Sequence, residues 1–155
     1  MRTTDQDIRV AVLVFDGVKL LDVAGPSEVF GEADRYTLVL CSPDGRGVRT
    51  STGVRLAVDA RADEVGEVDT LLVPGSDDFP AVPASPAILA AVLGLAARAR
   101  RVASVCTGAF VLAEAGLLDG RRATTHWAHT ATLRERYPEV RVDPDVLYID
   151  DGDVL

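Results

Sequence analysis

The sequence predicts a single α/β domain built on a mostly parallel, doubly wound sheet with helices on both faces. Three observations lead there. The near-continuous apolar run Ile8-Arg-Val-Ala-Val-Leu-Val-Phe15 reads as a strand covered on both sides, as parallel strands are. Short apolar runs then alternate with helical stretches along the chain, the order expected of βα units. Glycine or proline marks most of the junctions between them. A chain of 155 residues, 48% hydrophobic, can also bury a core without covalent staples.

The first strand is broken by Asp16-Gly17. Gly25-Pro26 then begins a helix reaching Ala33, with Pro26 suited to a first turn and Glu28 to the positive end of the helix dipole. Tyr36 to Cys41 is the second strand, and Cys41 reads as a core thiol. The stretch from Gly47 to Asp59 alternates and contains glycine, which predicts two short antiparallel segments. Asp69 to Val73 is a strand stopped by Pro74-Gly75-Ser76. Ser85-Pro86 opens an alanine-rich helix reaching Arg100, where Arg98, Arg100 and Arg101 suit a helix C-terminus.

The strand Arg101 to Val105 runs into a helix over Thr107 to Ala115, followed by a turn at Gly116 to Gly120. Ala123 to His126 predicts a short strand, Ala128 to Tyr137 a helix ended by Pro138, and Val140 to Val142 and Val146 to Ile149 brief strands. Val154 and Leu155 read as the opening of one more strand, which a covering helix would follow. The expectation is one domain over 1–155, cut short before its last strand and helix.

Lys and Arg number 16 against 24 Asp and Glu, a formal charge of -8 that argues against a broad phosphate-binding surface and so against direct nucleic-acid binding by this domain. With two cysteines, no secretory signal and no apolar run long enough to span a bilayer, the sequence predicts a reducing, cytoplasmic setting, no disulfide and no membrane partner. No P-loop or dinucleotide fingerprint is present, and no cofactor is expected.

Chemistry concentrates at the strand-to-helix joint Ser104-Val-Cys106-Thr-Gly-Ala109. A tight turn there holds the Cys106 side chain up, near helix N–H groups that favour a thiolate. The alternative is a buried structural cysteine. Asp22, Gly75, Cys106 and His126 all fall at or after the carboxyl ends of expected strands, where ligand sites of doubly wound sheets lie. Asp22 reads either as a functional acid or as a cap or turn residue before Gly25-Pro26. His126 lines a pocket or ends a strand by hydrogen bonding, Trp127 packs at a pocket wall or interface, and His129 lies at the surface. Two histidines without paired cysteines do not make a zinc site, so no metal is expected.

These residues resemble the ThiJ/PfpI superfamily, with its flavodoxin-like, class I glutamine amidotransferase-like fold. The resemblance rests on Phe15-Asp-Gly-Val-Lys-Leu-Leu-Asp22-Val-Ala-Gly-Pro26, Leu72-Val-Pro-Gly75, Ser104-Val-Cys106-Thr-Gly-Ala109, Leu117-Leu-Asp-Gly120 and Ala123-Thr-Thr-His-Trp127, and spans nearly the whole chain. The chain most resembles the N-terminal domain of AraC-type transcriptional regulators, with bacterial isonitrile hydratase as a near neighbour. The resemblance implies that Cys106 is the family's elbow cysteine and Asp22 its partner acid. A protonated Asp22 would donate to a thiolate, whereas an ionised one would repel it, so one proton shared by the pair is expected.

Backbone N–H groups of Gly75 and Thr107 are placed to form an anion nest over the sulfur. Ser76 stands where many relatives carry a second glycine, and Thr107 where proteolytic relatives carry a histidine. A threonine hydroxyl is no base near neutral pH, which disfavours peptidase chemistry. The resemblance implies a small-molecule-sensing regulatory domain with Cys106 and Asp22 in its pocket and Gly75, Ser76, Thr107 and His126 around the ligand. The alternatives are a cysteine-dependent enzyme of isonitrile hydratase type, or a dimerisation module with a vestigial elbow. A homodimer is expected.

Overall fold

The computed structural model describes residues 7–155. Along the chain, β1 (Ile8–Leu13) is followed by α1 (Leu20–Glu32) and β2 (Tyr36–Ser42). Three short strands follow, β3 (Val48–Arg49), β4 (Arg55–Leu56) and β5 (Ala60–Arg61). Then come β6 (Val68–Val73), α2 (Pro86–Ala96), β7 (Ala99–Ser104) and α3 (Gly108–Glu114). The last elements are β8 (Arg122–Ala123), α4 (Thr130–Arg136) and β9 (Arg141–Val142).

The sheet has the order β5-β2-β1-β6-β7 with every neighbouring pair parallel. Central β1 sets Val10 opposite Leu38 on one side and Thr70 on the other. Val10, Ala11, Val12, Leu13, Leu71 and Val73 are wholly buried, which is why β1 reads as an unbroken apolar run. From β1 the chain winds outward to β2 and β5, returns to β6 and winds the other way to β7. Right-handed crossovers in opposite directions put α1 and α2 on opposite faces. The sheet is therefore doubly wound, as expected, and the expected antiparallel excursion is the β3–β4 pair.

The winding reverses between β1 and β6, and the loops after them are joined there. Lys19 N–H donates to Gly75 O at 2.9 Å, and Val18 pairs with Ser76 in an antiparallel bridge. On the far side of β7, Val102 N–H donates to Asp153 O at 2.8 Å and Val154 bridges Val102 in parallel, so Val154 and Leu155 lie as a strand does.

Several elements depart from the sequence expectation. Helix α1 begins at Leu20 and carries Pro26 and Glu28 inside it, so neither belongs to a first turn. Burial of Asp22 and Val23 in that first turn outweighs the missing Pro26 N–H, a tertiary override of a local stop signal. Helix α2 stops at Ala96, because Ala99 to Ser104 is taken into the sheet against Val68 to Val73. Arg100 and Arg101 thus lie on β7, where both face Asp69, at 2.7 and 3.8 Å. Of Ala123 to His126 only Ala123 is in a strand, and Val146 to Ile149 is in none. His129 is half-buried, its ring edge-on to Phe110 at 6.4 Å.

Candidate functional site

Cys106 sits between the end of β7 and α3 with φ 55°, a left-handed conformation rare for a residue with a side chain. Neighbouring bonds fix it. Val105 N–H donates to Val73 O at 3.0 Å, Gly108 N–H to Val105 O at 2.9 Å, and Thr125 Oγ1 to Cys106 O at 2.9 Å. Gly108 is needed for the close approach of α3 to β6, since a Cβ there would lie 2.1 Å from Val73 O. The small residues after the cysteine are explained by that contact.

Asp22, on the first turn of α1, is buried and reaches this turn from the neighbouring loop. Its Oδ2 accepts the Gly75 N–H at 3.1 Å, and its carboxyl and the Cys106 thiol share one electrostatic environment. Gly75 fills the gap between Asp22 and Thr107: a Cβ on it would meet Thr107 Oγ1 at 2.6 Å and Asp22 Oδ2 at 3.0 Å. The expected anion nest is therefore only half present. The Gly75 N–H is engaged by Asp22, while the Thr107 main chain favours the thiolate form of Cys106.

Burial pushes the Asp22 carboxyl above its ordinary range, against the Gly75 N–H, the Lys19 ammonium and the thiol, which hold it down. Burial likewise raises the Cys106 thiol, and the Asp22 carboxylate raises it further. Thr107 and Lys19 pull it back without prevailing. Both groups are thus held toward their protonated forms, and helix N–H groups alone do not make this cysteine a thiolate. Lys19 and Asp77 are contributors the sequence reading passed over. Lys19 lies one turn before Asp22 and pairs with Asp77, so its charge is partly neutralised where it faces the site. The i, i+3 spacing of Lys19 and Asp22 was a visible signal, whereas nothing in the sequence joined Asp77 to either.

Cys106 opens into a cavity of about 530 Å³. Pro26 and Phe30 of α1, Leu118, and the exposed Trp127, Leu147 and Tyr148 form its apolar wall and rim. His126 lines it, with Nδ1 accepting from Ala128 N–H at 3.3 Å and its ring against Trp127 at 5.5 Å, so it is both a pocket residue and a local cap. Ser76 does not face this cavity. Its N–H donates to Thr107 Oγ1 at 3.0 Å and its Oγ to Gly17 O at 2.8 Å, and it lines a separate cavity. The buried Thr107 side chain holds Ser76 through a return bond from Oγ1 to Ser76 O at 2.9 Å. Among the described residues, no group of three or more His, Cys, Asp or Glu converges as a metal site. No helix there is long and apolar enough to cross a membrane.

The model of the DJ-1/PfpI family matches residues 8–155. The chain belongs to the DJ-1/PfpI family. Its similarity to an uncharacterized protein in the cpoL 5' region of Streptomyces lividans is 58% identity over 134 residues, 84% of this chain and 95% of that one. It is 36% identical to isonitrile hydratase of Pseudomonas putida over 122 residues, 79% of this chain and 54% of the hydratase. To the HTH-type transcriptional regulator CdhR of Pseudomonas aeruginosa it is 36% identical over 119 residues, 76% of this chain and 35% of the regulator. The DJ-1/PfpI chain thus spans about half of the hydratase and about a third of the regulator. Among solved structures, a ThiJ/PfpI family protein from Pseudomonas syringae superposes with TM-score 0.84 at 26% identity, covering 96% of this chain and 61% of that one. An AraC family transcriptional regulator from Pseudomonas putida gives TM-score 0.78 at 25% identity, covering 95% and 81%.

Proposed function

We propose that this DJ-1/PfpI domain is a small-molecule-sensing module of the kind AraC-type regulators carry, with its ligand in the cavity that Cys106 and His126 line and Asp22 acting on it through Cys106. The observation that carries the reading is the apolar cavity of about 530 Å³ into which Cys106 opens, with burial and then Asp22 pushing its thiol above the ordinary value. Such a site binds better than it attacks, because the thiolate is the nucleophile and this environment disfavours it. Thr107 supports the same reading, since its hydroxyl is committed to Ser76 and supplies no base. A homodimer and a cytoplasmic setting belong to the proposal, and exposed Trp127, Leu147 and Tyr148 at the cavity rim suit a ligand or partner that covers them.

A second reading is an enzyme that hydrates isonitriles, with Asp22 and Cys106 sharing one proton. It is favoured by the electrostatic coupling of Asp22 and Cys106 together with the 36% identity to isonitrile hydratase. One experiment separates the two. The protein and its Cys106→Ala variant are titrated with small isonitriles and uncharged apolar metabolites, following thermal stability and product formation together. Saturable stabilisation of the native protein without turnover supports the sensor. Turnover lost in both Cys106→Ala and Asp22→Asn establishes the enzyme. No binding and no turnover with any member of the panel overturns both.

A further inference from the structure

A second cavity of about 510 Å³ is lined by Ser76, Asp78 and Phe79 of the loop after β6. It opens at the carboxyl ends of β1, β2 and β6, where a doubly wound sheet places its ligands, and its size is that of a small-molecule site. Phe15 and Phe79 line it as a tilted pair with ring centroids 5.7 Å apart, both nearly fully buried. Ile88, on the first turn of α2, completes an apolar wall. The residues that line the Cys106 cavity are not shared with it.

The charges around this apolar space are one-sided. Asp16, Asp44 and Asp78 line it with Arg46 as the sole cation, and Arg46 already lies 3.8 Å from Asp44. Asp16 accepts the Arg49 N–H at 2.8 Å, which leaves its negative charge uncancelled. Asp78 is held in place through its main chain, its N–H donating to Ser76 Oγ at 3.1 Å. Its carboxylate has no hydrogen-bond or ion-pair partner among the described residues. An anion entering here would meet unpaired carboxylates. A cation with an apolar body would cover the aromatic pair and neutralise the excess charge, the complementarity by which aromatic sites take ammonium groups.

We propose that this second cavity binds a small organic cation, an ammonium attached to a flat apolar group, independently of the Cys106 site. Ser76 shapes it: the serine Oγ ties the Gly17 carbonyl to the Asp78 N–H, which a glycine at this position could not do. The ammonium sits toward Asp78, and the apolar body lies over Phe15 and Phe79.

Isothermal titration of the 155-residue protein with 2-phenylethylammonium, against uncharged 2-phenylethanol and anionic phenylacetate, tests this. The expected result is saturable binding of the ammonium, at least about fivefold tighter than the alcohol, with no binding of phenylacetate. Asp78→Asn, at an exposed position, weakens the ammonium by about fivefold, and Ala87→Phe, which fills the cavity from the exposed face of α2, abolishes it. Cys106→Ser leaves the affinity unchanged. The proposal is overturned by absence of ammonium binding, by equal affinity for the alcohol, by indifference to Asp78→Asn, or by loss of binding in Cys106→Ser with Asp78→Asn intact.

Discussion

The backbone N–H of Gly75 donates to Asp22 Oδ2 at 3.1 Å across the point where the sheet reverses its winding. That bond ties the loop after β6 to the first turn of α1 and gives a buried carboxyl its one main-chain donor. It also fixes which residue can stand at 75. A Cβ there would overlap Thr107 Oγ1 at 2.6 Å and crowd the Thr107 N at 2.9 Å. Gly75→Ala is expected to destabilise the protein by about 2 kcal/mol in urea unfolding, with Asp22 displaced from Cys106.

The Cys106 thiol titrates above the ordinary value in the native protein, because burial and then the Asp22 charge penalise the thiolate. Removing that charge acts in one direction only. Asp22→Asn moves the half-point of pH-dependent alkylation down toward the ordinary value, and Lys19→Met, which removes a stabilising cation, moves it up. A half-point indifferent to both changes would show that the two groups do not share an electrostatic environment.

Asp22 also makes stability depend on pH, with a sign opposite to that of a salt-bridged aspartate. Its folded pKa lies above the unfolded value near 3.8, so the folded state holds the proton more tightly. The stabilising contribution is full below the unfolded pKa and is lost as pH rises through the raised folded one. Asn keeps an acceptor for the Gly75 N–H but carries no charge. The stability of Asp22→Asn relative to the native protein should therefore climb with pH across that window and level off above it, measured as thermal midpoints from pH 3 upward.

Two glycines in helices offer a matched contrast. At Gly108 a Cβ would lie 2.1 Å from Val73 O, main chain that cannot retreat, whereas at Gly94 in α2 nothing stands within 4 Å. Gly108→Ala should cost about 3 kcal/mol or fail to fold. Gly94→Ala should stabilise by about 0.5–1 kcal/mol through reduced backbone entropy.

Cys41 is expected to be chemically silent. It is wholly buried, its Sγ lies 3.7 Å from Val12 O, and burial pushes its thiol up to about 11. Of the two cysteines, only Cys106 should react with a thiol reagent under native conditions, and both in denaturant. A second native equivalent appearing at the same rate would place Cys41 at the surface.

What the sequence revealed followed from how local each signal is. The sheet was legible because buried parallel strands read as nearly continuous apolar runs, as Val10 to Phe15, Leu38 to Cys41 and Leu71 to Val73 do. The joint at Cys106 was legible because small residues follow the cysteine directly, although the contact that demands Gly108 is with Val73 O in another strand. The start of α1 was not: Lys19 has no side-chain cap, and Pro26 suggests a helix beginning six residues late. What holds that turn is burial of Asp22 against Gly75, 53 positions along the chain. A separation of 59 positions likewise hid the destination of Ser76, whose side chain donates to the Gly17 carbonyl. The reversal of Arg100 and Arg101 from helix to strand likewise depends on Asp69, a partner in another element.

The reciprocal clasp between Thr107 and Ser76 bears on what this chain can evolve into. The Thr107 hydroxyl gives its proton to the Ser76 carbonyl and takes one from the Ser76 amide, so both lie satisfied in a buried place. Replacing that threonine with the histidine of proteolytic relatives would strip both main-chain groups of their partner at once and demand room beside Gly75, where none is spare. That substitution alone would therefore unsettle the loop after β6. That loop would have to be remade first, and a lineage holding this clasp is free to diversify its cavity walls while its chemistry stays where it is.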